Sequence, residues 1–463
     1  MNKIHMVIVG GGLSGLSTAF FLSRRASQEN LPLKITILEA SNRFGGVLRT
    51  LVQGELRMEA GADAFDAGKN GAKDLCRELG LQEDLIEAVP CFRRFFTLKD
   101  GKPFSVSGIP ESFWDAARFL GDDRLSFSAK RRMLAEPFIP RRKEVGDESL
   151  GSFIRRRLGD GFYQEVVKSL VQGIYMMDAE RLSLEALFPR LQQAEQSYGS
   201  LGGSFLKKKN KNEKGSSEFL TLKYGLDGLI RALVRELSGC ELRKSAPVRQ
   251  CVYNKGWKIS LESSETLRAD SVVLAMNACD SSKLLSAAAP ELSRELAVLR
   301  YDSIATVNLI YKSDDVPARD LLVPGFFVAM GDAQYPFSSL KWLGQSTNGK
   351  HLFLRAFLSE TMMSEVFKES DEALKKKILI FLSGSFGIQA QPLFVEVHRY
   401  PSALPQYETG HLESVAQIEK MVGRYSGLRV TGNGFRGFGI TDCVRQAGIL
   451  ASSLTFPTVG NQS

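Results

Sequence analysis

Gly10, Gly12 and Gly15 stand as G-x-G-x-x-G directly after the apolar run IHMVIV (residues 4–9). The chemistry this spacing serves is phosphate binding. Gly10 permits a tight turn, Gly12 lets a pyrophosphate approach the main chain, and Gly15 allows a helix to pack closely on a strand. The free amides at the start of that helix then face the phosphates. Glu39 ends a second apolar run, KITILE, 24 positions beyond Gly15, against about 20 in such sites. Its carboxylate would accept hydrogen bonds from both ribose hydroxyls. A glycine turn without a nucleotide is the poorer account, because strand, helix, second strand and terminal acid are all in place.

The stretch LEASNRFGGVLRT (38–50) goes further. Gly45-Gly46 gives backbone that can turn sharply or approach a ligand closely. Arg43 supplies a cation for the phosphates or for an acidic neighbour. E-A-x-x-R-x-G-G resembles the second signature of the glycine-doublet FAD superfamily. Near the other end, GNGFRGFGITDCVRQAGILASSL brings four glycines before an amphipathic helix. The N-terminus of that helix, near Ile440–Asp442, offers free N–H groups and a positive dipole end for the N1/C2=O edge of a reduced flavin. Thr441 or Asp442 as a plain helix cap is compatible with the same sequence.

The elements that must position these residues follow from pattern. IHMVIV and KITILE read as buried strands around the helix TAFFLSRRA, one βαβ unit. GAKDLCRELG (71–80) reads as a helix closed by Gly80. PESFWDAARFL, SAKRRMLAEPF and LGSFIRRRLGDGFYQEVVKSLV give the stretch from about 91 to 200 a helical, basic character. KKKNKNEKGSSE (207–218) reads as an exposed loop. GLDGLIRALVREL (225–237) is an amphipathic helix. APVRQCVYN, WKISLES, ADSVVLAM, 303–312 and 352–358 read as strands, 370–384 as a helix, RVTGN (429–433) as a strand, and FPTVGNQS as a disordered tail.

Bulk properties bound the answer. A chain of 463 residues exceeds one simple core and calls for two or three subdomains. No apolar run approaches the roughly 18 residues of a membrane span. The N-terminus lacks the pattern of a secretory signal, so a cytoplasmic location is expected. Six dispersed cysteines and four histidines without ligand spacing argue for reduced thiols and no metal site. The net charge of +8 gathers at Lys130–Arg132, Arg141–Lys143, Arg155–Arg157 and Lys207–Lys214. Each cluster suits a solvated face. Together they also suit an anionic lipid or acidic substrate, whereas no nucleic-acid motif accompanies them.

EAGADAF (59–65), GIYMMDAERLSLEALFPRLQQAEQSYGS (173–200), FLTLKYGLDGLIRAL (219–233), ALPQYETGHLESV (403–415) and GNGFRGFGITDCVRQAG (432–448) resemble, in order, blocks of the oxygen-dependent protoporphyrinogen/coproporphyrinogen oxidase family. The resemblance implies an α/β (α+β) fold. A Rossmann-like FAD-binding domain would be built from both chain ends (1–90, 206–280 and 410–463), with an inserted mixed-sheet substrate-binding domain (281–409). A helical subdomain (91–205) would touch the inner face of the cell membrane peripherally. Flavin contacts would fall on Gly10, Gly11, Gly12, Leu13, Ser14, Gly15, Glu39, Ala40, Arg43, Gly46, Val47, Gly61, Ala62, Asp63, Ala64, Val248, Asn433, Phe438, Gly439 and Ile440. Lys69 matches a lysine of some bacterial members and is carried as a cation for substrate propionates; a solvent lysine at a helix start explains it at least as well. Met176-Met177-Asp178 depart from the family's Gly-Asp, and Ala447 stands where many members have Ser.

The implied reaction removes hydride from a porphyrinogen methylene bridge, with FAD as cofactor and oxygen as acceptor. It converts protoporphyrinogen IX to protoporphyrin IX in haem biosynthesis and yields peroxide. Coproporphyrinogen III oxidation, or an amine oxidase or carotenoid desaturase activity, are the alternatives. The residues single out no catalytic base. Cys443 stands inside a helix, outside any flavin-attachment motif. A homodimer is a candidate assembly.

Overall fold

The computed structural model describes residues 3–68, 70–88, 94–99, 102–106, 125–144, 146–203, 219–317, 326–329, 336–345 and 349–455. The expected helix PESFWDAARFL, the loop 207–218 and the tail 456–463 lie outside these residues.

Five parallel strands form the first sheet, in the order 241–243, 33–38, 4–9, 271–274 and 428–430. Strands from both ends of the chain therefore share one sheet, with 271–274 between 4–9 and 428–430. Ile4–Val9 lies in the middle, and its alternate residues enter different cores. Met6 and Ile8 join Leu16, Leu229, Leu233 and Val444 on one face. Val7 and Val9 join Ile259, Leu285, Ile418 and Val422 on the other. Burial on both faces explains why the strand reads as an unbroken apolar run. Helices Leu13–Gln28, Asp227–Glu236 and Ile440–Ser453 cover the first face. Helices Ala278–Leu285, Pro290–Val298 and His411–Val422, with the antiparallel strands 248–253, 257–261 and 266–269, cover the second.

A seven-stranded sheet runs in the order 394–406, 300–312, 351–359, 339–345, 326–329, 94–99 and 102–106. One of its faces is apolar. Val307, Leu309, Leu340, Trp342, Leu354 and Ala356 pack there against Leu374, Ile378 and Leu382 of helix Asp371–Phe386. The other face is polar and is taken up below. Residues 94–99 and 102–106, inside the stretch expected to be helical, are strands of this sheet; 94–99 pairs with 326–329 in parallel. Asp-Gly between the paired Lys99 and Lys102 is a hairpin signal, and the helical patterns on either side of it obscured the two strands.

Residues 125–203 do form helices: 127–134, 150–158, 160–175 (with a π turn at 163–167), 184–187 and 189–198. Ser126, Ser149 and Ser183 cap three of them, each side chain accepting from an amide three residues on. Leu150, Phe153, Phe162, Val166, Leu170 and Leu184 bury their apolar faces together.

Candidate active site

The glycine turn is built as its spacing requires. Gly10 has φ +110°, and a Cβ there would collide with the Ala275 carbonyl, so only glycine fits. A Cβ on Gly15 would strike the Gly10 carbonyl. The Glu39 carboxylate sits beside the turn, accepting from Gly11 N at 2.7 Å and Ser41 N at 2.8 Å. Ala246 N donates to Glu39 O at 2.9 Å, which brings Val248, the first residue of its strand, close to the same corner.

Arg43, Gly45 and Gly46 fold back onto this turn. Gly45 N donates to Gly11 O at 2.9 Å, and Gly12 and Gly45 form a parallel bridge. Gly12 and Gly46 then face each other across open backbone, since a Cβ on Gly12 would meet nothing nearer than Gly46 Cα at 3.8 Å. Arg43 donates to Gly46 O at 2.7 Å and to Leu48 O, and lies 3.6 Å from Asp227. Asp227 is thus an acidic neighbour of Arg43, one of the two partners open to it from sequence.

Gly61–Ala64 lies against Val47, and a Cβ on Gly61 would overlap the Val47 carbonyl oxygen. Asp63 pairs with Lys341 at 2.5 Å. Burial pushes the Asp63 carboxyl up, but Lys341 and Arg355 outweigh it and hold it below the usual range. Burial lifts Glu59, two residues before Gly61, to about 7. Its carboxylate accepts from Leu226 N at 2.7 Å at the head of helix Asp227–Glu236.

The C-terminal glycines complete the arrangement. The N-cap of helix Ile440–Ser453 is Gly439, which has no side chain to cap with. Thr441 donates to Asp66 O at 2.7 Å instead. Cys443, in the first turns of this helix, is hydrogen-bonded to Ser14 in the first turn of helix Leu13–Gln28, and burial pushes its thiol up to about 11. Two helix N-termini therefore lie side by side. Tyr407 holds the loop leading in: it donates to Asn433 O at 2.8 Å and accepts from Gly437 N at 2.9 Å. Its ring stacks on His411 at 3.7 Å and meets Phe438 edge-on. The Asn433 side chain donates to Ala403 O at 3.0 Å.

A flexible dinucleotide with an electron-poor ring needs what this corner offers: a carboxylate at one end, two dipole ends favouring negative charge, and glycine backbone without side chains between them. The residues fit FAD. The pattern of flavin containing amine oxidoreductases matches residues 13–454. The chain belongs to this family. Its cofactor is FAD. The chain is 29% identical to a coproporphyrinogen III oxidase of Bacillus subtilis (strain 168), covering 98% of this chain and 99% of that one. It is 28% identical to a protoporphyrinogen oxidase of Bos taurus, over 95% and 96%. A crystal structure from Exiguobacterium sp. 255-15, carrying a provisional protoporphyrinogen oxidase assignment, superposes with a TM-score of 0.83 at 28% identity, over 98% and 99% of the two chains.

The structure brings together the candidates at Gly10–Gly15, Glu39–Val47 and Gly61–Ala64, and sets the helix that begins at Ile440 beside Ser14. Lys69 lies outside the described residues. Sequence reasoning missed the polar face of the seven-stranded sheet. Lys341, Arg355, Asn308 and Glu396 form one row across four strands, each paired with the next. Thr306 and His398 are paired in the neighbouring row, with Tyr400 beyond. Most of this face is buried: Lys341 is 8% exposed, Arg355 1%, Asn308 0% and His398 8%. The available signal was a few polar residues, Thr306, Asn308, Lys341 and Arg355, at alternate positions within otherwise apolar strands.

Proposed function

We propose that this protein is an FAD-dependent porphyrinogen oxidase acting on coproporphyrinogen III. The reading rests on the match, along nearly the whole chain, to relatives that bear that name. Protoporphyrinogen IX, the leading expectation from sequence, remains the second reading, favoured by the bovine relative and the Exiguobacterium neighbour. Bound FAD supplies the hydride acceptor, with oxygen as terminal oxidant and peroxide as product.

The protein's own tasks are orientation and electrostatics. A pyrrole nitrogen stabilises the cation left at the bridge carbon and gives up its proton readily, so no strong base is needed. The five-stranded sheet and its helices would hold the dinucleotide, through the residues set out above. The polar face of the seven-stranded sheet would wall the substrate side. Arg43 and Arg49 both lie within electrostatic reach of Tyr400 on that side, which suits a substrate carrying propionates. Anaerobic mixing of the yellow holoenzyme with coproporphyrinogen III should bleach the flavin, and a flavin left unchanged by every porphyrinogen would end this reading.

The same reading extends to location. No helix among the described residues is long and apolar enough to cross a membrane. Phe127, Leu134 and Phe138 are 83%, 61% and 87% exposed, within a few residues of Lys130, Arg131 and Lys143. Apolar side chains beside cations suit the interface of an anionic bilayer. Flotation with phosphatidylglycerol vesicles at low salt should carry the protein upward, and Phe127→Glu/Phe138→Glu should leave it behind. A wild-type protein that stays with the lipid-free fraction would remove the membrane contact from the account.

A further inference from the structure

Three neighbouring strands of the seven-stranded sheet reach across to one short stretch, Ala60–Asp63. Thr306 Oγ1 donates to Ala60 O at 3.0 Å. Arg355 Nη1 donates to Gly61 O at 2.6 Å. Lys341 pairs with Asp63. Two of the three side chains are also linked through Asn308: Arg355 Nε donates to Asn308 Oδ1 at 2.8 Å, and Asn308 Nδ2 donates to Thr306 Oγ1 at 3.0 Å. Thr306, Asn308 and Arg355 are buried, and a buried hydrogen bond fixes geometry most strongly and costs most when a partner is lost. The Tyr400 hydroxyl, buried and without a hydrogen-bond partner among the described residues, points to the same place; a Cβ on Gly61 would lie 3.8 Å from it.

We propose that Arg355 is a positioning residue: from the substrate side it fixes the Gly61 carbonyl, and with it the stretch that lies along the flavin. The proposal depends on the reading that Gly61–Ala64 contacts FAD. A segment tied only to its own sheet could drift relative to the other by the small distances that matter for hydride transfer. Here the tie is made by the sheet that would wall the substrate, so cofactor and substrate share one reference frame. Arg355 and Lys341 are the cations here, with Asp63 and Glu59 as carboxyls in their electrostatic reach. The Arg355 guanidinium adds positive charge that favours electrons on a nearby acceptor.

Arg355→Met and Thr306→Val, each prepared as FAD-loaded protein, test this. Removing the guanidinium should shift the visible absorption of the bound flavin and make its midpoint potential more negative. It should also lower kcat on the order of 10- to 100-fold, as small misplacements do, with KM for coproporphyrinogen III changed less than about threefold, since ground-state binding is not the target. Thr306→Val, nearly equal in volume, should shift the spectrum in the same direction by less. If Arg355→Met does not retain flavin, Thr306→Val decides. A lower thermal midpoint with a wild-type spectrum and potential would overturn the proposal, because a merely structural tie predicts that pattern. Spectrum and potential need no substrate. A failure of the wild type to oxidise porphyrinogens therefore sinks the functional reading and leaves Arg355 still under test.

Discussion

Gly61→Ala should yield a folded protein that emerges colourless from desalting. The added Cβ has no room, because it overlaps the Val47 carbonyl oxygen, and two backbone segments would have to part. Overpacking of this kind costs about 1–3 kcal/mol. Here it falls between two stretches that we propose line the cofactor, so the damage is expected first as lost FAD affinity. Arg355 pulls from the other direction through the Gly61 carbonyl, which closes the route by which the loop could move away. Gly239→Ala is the control, since a Cβ there meets nothing within 4 Å. The measurement is the ratio of flavin to protein absorbance, with circular dichroism to confirm folding. A Gly61→Ala protein that keeps a full complement of FAD at wild-type affinity would remove this segment from the site.

Arg157→Met should cost the most stability of any single change outside the cofactor corner. The side chain is fully buried, with 0% exposure. It donates to Glu136 Oε1 at 2.8 Å, Ile139 O at 2.9 Å and Gly199 O at 2.9 Å, and lies 3.4 Å from Glu195. Glu136 would keep Leu201 N and Gly202 N as donors but lose its cation. Breaking one side of a buried pair typically costs about 3–5 kcal/mol. Arg157→Lys should not rescue, since a single ammonium cannot reach acceptors spread around a planar fork. Glu136→Gln added to Arg157→Met should recover part of the loss by removing the stranded charge. Thermal unfolding followed by circular dichroism reads all of these. An unchanged midpoint in Arg157→Met would show that the network is replaceable.

The glycine turn with its carboxylate was legible in the sequence, and the polar face of the seven-stranded sheet was not. Gly10, Gly15 and Gly61 stand where backbone or carbonyl groups approach too closely for any side chain. Such constraints leave a glycine in the sequence whatever surrounds it. Glu39 was legible because it closes a strand at a fixed distance from the turn. Lys341, Arg355 and Asn308 carry no such mark. Each is one polar residue in an alternating strand, and only the sheet's cross-strand pairing and the approach of Ala60–Asp63 make them a set. Tyr407 was hidden for a related reason: its work is to hold Asn433 and Gly437 by their backbone, which no motif records. Met176 shows the reverse case. It sits at φ +52°, a conformation that favours glycine, so the departure noted at that position is visible as strain in the fold.

The central claim is that this flavin site oxidises a porphyrinogen. Side-by-side aerobic incubation of the FAD-loaded protein with coproporphyrinogen III and protoporphyrinogen IX, following porphyrin fluorescence and peroxide together, tests it most directly. The account predicts porphyrin appearing with matching peroxide, faster from coproporphyrinogen III. Faster turnover of protoporphyrinogen IX would reverse the substrate assignment alone. A yellow protein that leaves both substrates no more oxidised than buffer does would contradict the account.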